Sequence, residues 1–194
     1  MGKFPKVCVS SIVLIQAVLF LICAITFADG SDLPSDPAEP DLMSSNYFVI
    51  YHRHSADLKK IEMDLKKRPL YFDQPARYGE VSTSQEICYR LDQLFNYARV
   101  ALDMYPKTGK IRIVILKDSA ELDAQYLKIF GKRGILESFY VYKYNTIYTS
   151  ENDMTDSIIV HEMAHAIIDN YFSVVPPEAV REVLASYVDV HLEE

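Results

Sequence analysis

Residues 155–172 read TDSIIVHEMAHAIIDNYF. They set His161 and His165 four positions apart, with Glu162 beside the first. An α-helix turns about 100° per residue, so the two histidines stand about 40° apart on one face, one turn from each other. Both rings can then meet a single divalent ion at about 2.0–2.1 Å. Glu162 lies about 100° round from His161, where it reaches a water at the ion but does not point at the ion itself. Two imidazole ligands with an adjacent carboxylate form the donor set of zinc-assisted hydrolysis, in which the cation acidifies the attacking water and the glutamate takes its proton. Ile158, Ile159, Val160, Met163, Ala164, Ile167 and Ile168 surround the three polar residues, so the helix is expected to be largely buried. Buried imidazole and carboxylate groups are costly unless they are paired or held by a cation. The competing reading is a pair of core histidines satisfied by other side chains.

Two histidines leave a zinc site incomplete, because catalytic sites carry three protein ligands and one open position. The extension HExxHxxGxxH is excluded, since Ile168 and Tyr171 occupy its last two defined places. Downstream, Pro176-Pro177 leads a helix candidate that begins EAVREVLASYV. Glu182, one turn into that helix, is the preferred third ligand. Glu178 sits in the first turn, where an acid simply complements the helix dipole. Asp189 and His191 are weaker rivals, and His54 stays open. Asp169, one turn after His165, is either a hydrogen-bond acceptor for a ligand histidine or a surface aspartate.

The elements that must position these residues are legible from their apolar periods. Tyr47–Tyr51 reads as a strand, followed by His52 and His54, which fit a surface loop better than a metal pair. Ala56–Lys67 reads as a helix stopped by Pro69. Glu86–Tyr105 is a long amphipathic helix capped by Ser84. Ile111–Leu116 is an apolar strand, and Ser119–Phe130 a helix capped by Asp118 or Ser119. Glu137–Tyr142 and Thr146–Thr149 form a strand pair around Lys143-Tyr144-Asn145. The expected fold is α+β, with a small mixed sheet and an edge hairpin packed against helices.

HEMAHAIIDNY followed by a proline-led REVLASY resembles the gluzincin metallopeptidases, and among them the small peptidase-MA-like (minigluzincin) domains. YFVIYH and the hairpin ending NTIYTS look like the same family, so the resemblance covers roughly residues 46–194. It implies a zincin-like fold, zinc held by His161, His165 and Glu182, and Glu162 as general base. It also implies that an edge strand beside the HExxH helix receives an extended peptide. Thr146–Ser150 or its partner Phe139–Tyr142 is the candidate strand. Three departures stand out. Val183 follows the third-ligand glutamate where glycine is usual in the family. Ser186 occupies a place often acidic in larger gluzincins. The transition-state-stabilising Tyr or His of those relatives belongs to a later subdomain, which leaves Tyr187 and His191 as candidates here.

The resemblance implies a zinc peptidase acting on peptides or proteins. A zinc-stabilised binding module of the same fold, without turnover, is the alternative, and a metal-free interaction domain is a third reading. With 27 acidic against 20 basic residues the chain carries a net charge of −7, which argues against nucleic acid as a partner. Lys3 and Lys6 precede an apolar run from Val7 to Phe27 and a small-residue site ending at Ala28. Residues 1–28 therefore resemble a bacterial secretory signal peptide, and the protein is expected in the periplasm or outside the cell. Residues 7–27 are also long enough to anchor it in a membrane uncut. Cys23 is a poor lipid-attachment site after the bulky Ile22. Residues 29–45 are rich in Pro, Asp and Ser and read as a flexible tether before a domain over 46–194. Cys88 falls in an apolar helical pattern and is expected to be buried.

Overall fold

The computed structural model describes residues 40–65, 81–134 and 136–192. The leader, the first part of the tether and the helix stop at Pro69 lie outside the described residues. Five strands make one mixed sheet: β1 (Pro40–Ser44), β2 (Phe48–Arg53), β3 (Ile111–Leu116), β4 (Ser138–Val141) and β5 (Thr146–Ser150), in the spatial order β1-β2-β3-β5-β4. The three central strands run parallel, and each outer strand runs antiparallel to its neighbour. Five α-helices among the described residues complete an α+β fold: α1 (Leu58–Leu65), α2 (Thr83–Leu102), α3 (Ser119–Phe130), α4 (Asp156–Tyr171) and α5 (Glu178–His191).

Strand alternation divides the core between the two sheet faces. Phe48, Ile50, Ile111, Ile113, Ile115 and Ile147 turn to one side and pack with α1, α2, α4 and α5 in the main core. Val114, Leu116, Phe139, Val141 and Tyr148 turn to the other and pack with Leu122 of α3. The helices start where side chains satisfy free backbone N–H groups. Ser82 and Gln85 close a reciprocal capping box on α2. Asp118 caps α3, and Gly131, at φ +68°, ends it in the left-handed conformation that glycine adopts without a Cβ clash.

The expected tether ends earlier than residue 45. Pro40–Ser44 is a strand paired with β2 in register, and Met43 is buried in the core. Its polar composition misled because an edge strand tolerates Pro, Asp and Ser on its open side. The cap of α2 is Ser82 rather than Ser84, and the helix starts three residues earlier than its apolar period. His52 belongs to β2 and is buried, with its Nδ1 2.8 Å from the Arg53 carbonyl oxygen. His54 is exposed and faces Asp41. Cys88 is only half-buried. Its thiol is pushed above its ordinary value by burial and by the Asp92 charge, which opposes thiolate reactivity. Among the described residues no helix is long and apolar enough to cross a membrane.

Candidate metal centre

α4 begins at the Thr155 cap, and a buried ion pair anchors its first turn. Arg90 of α2 grips Asp156 at 2.5 Å and also donates from Nε to the Leu65 carbonyl. The helix then runs through the core with Ile159, Val160, Met163, Ala164, Ile167 and Ile168 buried. Only one side leaves the apolar packing, and His161, Glu162 and His165 open there onto a cleft of about 600 Å³. The β4–β5 hairpin docks on the same helix through Tyr140. Its hydroxyl donates to Asn145 Oδ1 at 2.9 Å and accepts from Asn170 Nδ2 at 3.1 Å.

α5 returns across α4 after Pro177. Arg181 sets its register by reaching both carboxylate oxygens of the buried Asp169, at 3.1 and 3.4 Å. Burial pushes the Asp169 carboxyl above its ordinary value against the opposing pull of Arg181. Asp169 therefore holds neither role expected for it. It is neither a histidine partner nor a surface residue but a clamp between the two helices.

The next residue, Glu182, faces the two histidines. His161 Nε2 and His165 Nε2 stand 3.2 Å apart, and Glu182 places Oε2 3.5 Å from the first and Oε1 3.4 Å from the second. These three side chains are the only group among the described residues arranged to hold a metal ion. Zinc bonds of 2.0–2.2 Å in a tetrahedron place ligand atoms about 3.3–3.6 Å apart, so two imidazole nitrogens 3.2 Å apart and a carboxylate that turns one oxygen to each suit zinc in reach and donor type. Protonation supports the same reading. His161 Nδ1 lies 2.8 Å from Asp189 Oδ2, which orients the ring and leaves Nε2 free to act as a ligand. His165 is pushed down to about 4, chiefly by burial and then by the His161 and Arg181 charges, so it is neutral with a free lone pair at neutral pH. Its Nδ1 is buried without a partner among the described residues.

Glu162 is buried beside this triangle but is not part of it. The Ser138 hydroxyl of β4 donates to its Oε1 at 2.8 Å. Burial raises the Glu162 carboxyl above the usual carboxylate range. The Ser138 bond, the His161 charge and the Tyr140 backbone oppose that rise. A second hollow of about 300 Å³ shares Ser138, His161 and Glu162 and extends the opening toward Ser157 and Asp189.

The rival ligands fall elsewhere. Glu178 lines the cleft without joining the triangle. His191 directs Nδ1 to the Tyr187 carbonyl oxygen and packs on the Tyr187 ring, and neither residue lines the cleft. Neither His52 nor His54 belongs to the triangle. Sequence reasoning missed Ser138 and Arg181 and weighed Asp189 only as a weaker rival ligand, not as a partner of His161. Asp189 lies two turns after Glu182 on one face of α5, a spacing that could have flagged it. Ser138 carries no local signal, since only the docking of β4 on α4 brings it to Glu162. A larger hollow of about 790 Å³, between β1 and α2, holds no ligand cluster among the described residues. Comparison with models of known protein families, with curated proteins and with solved structures finds no match.

Proposed function

We propose that this chain is an exported zinc metallopeptidase of the gluzincin type, with α4 as its HExxH active-site helix in a zincin-like fold. The observation that carries the reading is the convergence of three side chains. His161 Nε2 and His165 Nε2 stand 3.2 Å apart, and Glu182 turns Oε2 to the first at 3.5 Å and Oε1 to the second at 3.4 Å. One ligand atom from each lies within 4.8 Å of the others, within reach of a single ion. In this reading His161, His165 and Glu182 hold the ion. Zinc held there would supply Lewis acidity, able to acidify a water toward a pKa of about 7 and to polarise a carbonyl.

The remaining chemistry belongs to the chain's own residues. Ser138 and the Tyr140 backbone orient the Glu162 carboxylate, whose remaining lone pairs take a proton from the attacking water and return it to the leaving amide nitrogen. The apolar surround that raises the Glu162 carboxyl also makes it a stronger base. Asp189 keeps His161 in the ligand tautomer. β4 lies at the sheet edge beside Glu162 and fits the strand that receives an extended peptide. β5 lies between β3 and β4 and is excluded from that role. Export rests on Lys3, Lys6, the apolar run 7–27 and Ala28.

The test compares the mature protein with Glu162→Gln by elemental analysis and by cleavage of a broad peptide library. One zinc per chain in both, with cleavage lost from the variant by a factor of about 10² or more, is the expected outcome. Equal cleavage by both, or no bound zinc, would sink the reading. One observation favours a zinc-stabilised binding module instead. Tyr187 and His191 pack on each other, which leaves neither facing the cleft to stabilise an oxyanion. Zinc retention with no cleavage of any peptide would favour that module.

A further inference from the structure

Resting on the peptidase reading, we infer that substrates are selected through a second subsite on the sheet face opposite α4, where an aromatic wall built on Phe130 takes a large apolar side chain. The argument begins at the pleat of β4. Ser138 and Tyr140 turn toward α4, the first bonding Glu162 and the second Asn170. Phe139 and Val141 turn the other way, into the packing under α3. Phe139 stacks on Tyr148 at 5.1 Å, and Tyr126 and Phe130 of α3 meet it edge-on at 5.1 and 6.0 Å. Three of these rings are enclosed to some degree, but Phe130 at the end of α3 is 44% exposed. The wall is therefore finished on the inside and open on the outside.

Three observations point to an extended peptide as the occupant. Among the described residues β4 pairs with β5 alone, so its outer edge is open to one more strand, apart from the Tyr140 backbone group that bonds Glu162. The same cleft is lined by Tyr126, Phe130, Leu136 and Phe139 on one side of β4 and by His161, Glu162 and Glu182 on the other. A strand laid along that edge would therefore touch both. Added strands lie about 4.7–4.9 Å from their neighbour with side chains alternating between faces. A peptide whose helix-facing residues pass Glu162 thus directs the intervening residues over Phe139 and against Phe130. Selection by this wall should appear at a position of opposite parity to those facing α4. Stacking on an exposed ring rewards aromatic and long aliphatic side chains over small or acidic ones.

The experiment is a positional-scanning peptide library cut by the zinc-loaded protein, by Phe130→Ser and by Phe130→Leu, with zinc content and oligomeric state measured for each. The wild type should prefer Phe, Tyr or Leu at one such position by about tenfold in kcat/KM over Ser or Asp. Phe130→Ser should lose that preference, Phe130→Leu should keep it for aliphatic residues, and selection at the flanking positions and zinc content should not change. Library cleavage with the same profile in Phe130→Ser overturns the inference and leaves the peptidase reading standing. A dimer that dissociates in Phe130→Ser, without apolar selection, assigns the wall to a second copy and also overturns it. Absence of any Glu162-dependent cleavage by the wild type removes the peptidase reading and this inference with it.

Discussion

At the proposed metal cluster, burial and ligation would make the same demand on His165. The apolar packing of α4 holds its ring neutral, with a folded value of about 4 against an ordinary 6.5. Between those values the unfolded chain binds a proton that the folded chain refuses. This contribution to stability is full above pH 6.5 and is lost as pH falls toward 4. Urea unfolding of the zinc-free protein and of His165→Gln, both in chelator, should register it. From pH 7 to pH 4 the wild type should lose roughly 2–3 kcal/mol relative to the variant. A constant difference across that range would show that the ring is not buried as described. The same neutrality keeps a lone pair available to zinc in mildly acidic solution, which links the packing of one side chain to the affinity of the site.

Glu182 reaches the histidines only because α5 is held in one register on α4. Arg181 and the buried Asp169 supply that hold one residue away. Asp169→Ala strands the guanidinium beside an apolar surface and should cost about 2–3 kcal/mol, less than a fully buried pair because Arg181 keeps some contact with water. Zinc affinity should fall with it, since the third ligand loses its anchor. Thermal unfolding and a competitive zinc titration check the two effects together. Lost stability with unchanged affinity would mean that Pro177 and the core contacts of Ala185 and Val188 set the register alone. On the other side of the site the β4–β5 hairpin has a parallel role. The bonds of Tyr140 to Asn145 and Asn170 seat β4 so that Ser138 meets Glu162.

Across the whole domain, the proposed zinc ion would join two helices that otherwise meet through apolar packing, the His161–Asp189 bond and the Arg181–Asp169 pair. Anything that binds the folded state alone stabilises it by mass action. With free zinc at about 100 times its dissociation constant the gain is about 2.7 kcal/mol. A domain of this size should then lose roughly 5–10 °C in Tm on chelation. Calorimetry with and without chelator measures this, and His165→Gln should show no zinc-dependent change. An unaltered wild-type Tm would mean that the triangle does not bind the ion. The buried Arg90–Asp156 pair ties the start of α4 to α2 and keeps the site in place in either condition.

Local patterns decided much of this protein within the sequence itself. The four-residue spacing of His161 and His165, the strand Ile111–Leu116 and the helix Ser119–Phe130 follow from helical pitch, backbone capping and apolar period, which act over a few residues. The sequence already favoured Glu182 over Glu178, Asp189 and His191, but whether its carboxylate stands against the two histidines depends on how α5 crosses α4, which no local rule contains. Asp189 as a histidine partner, Asp169 as a clamp and Ser138 against Glu162 are contacts between elements 12 to 28 residues apart. Strand order belongs to the same class. Polar Pro40–Ser44 pairs at one edge, and β4 rather than β5 takes the other, because burial and hydrogen-bond satisfaction are settled across the whole sheet. Residue spacing specified which groups could bind a metal; only packing determined which ones meet.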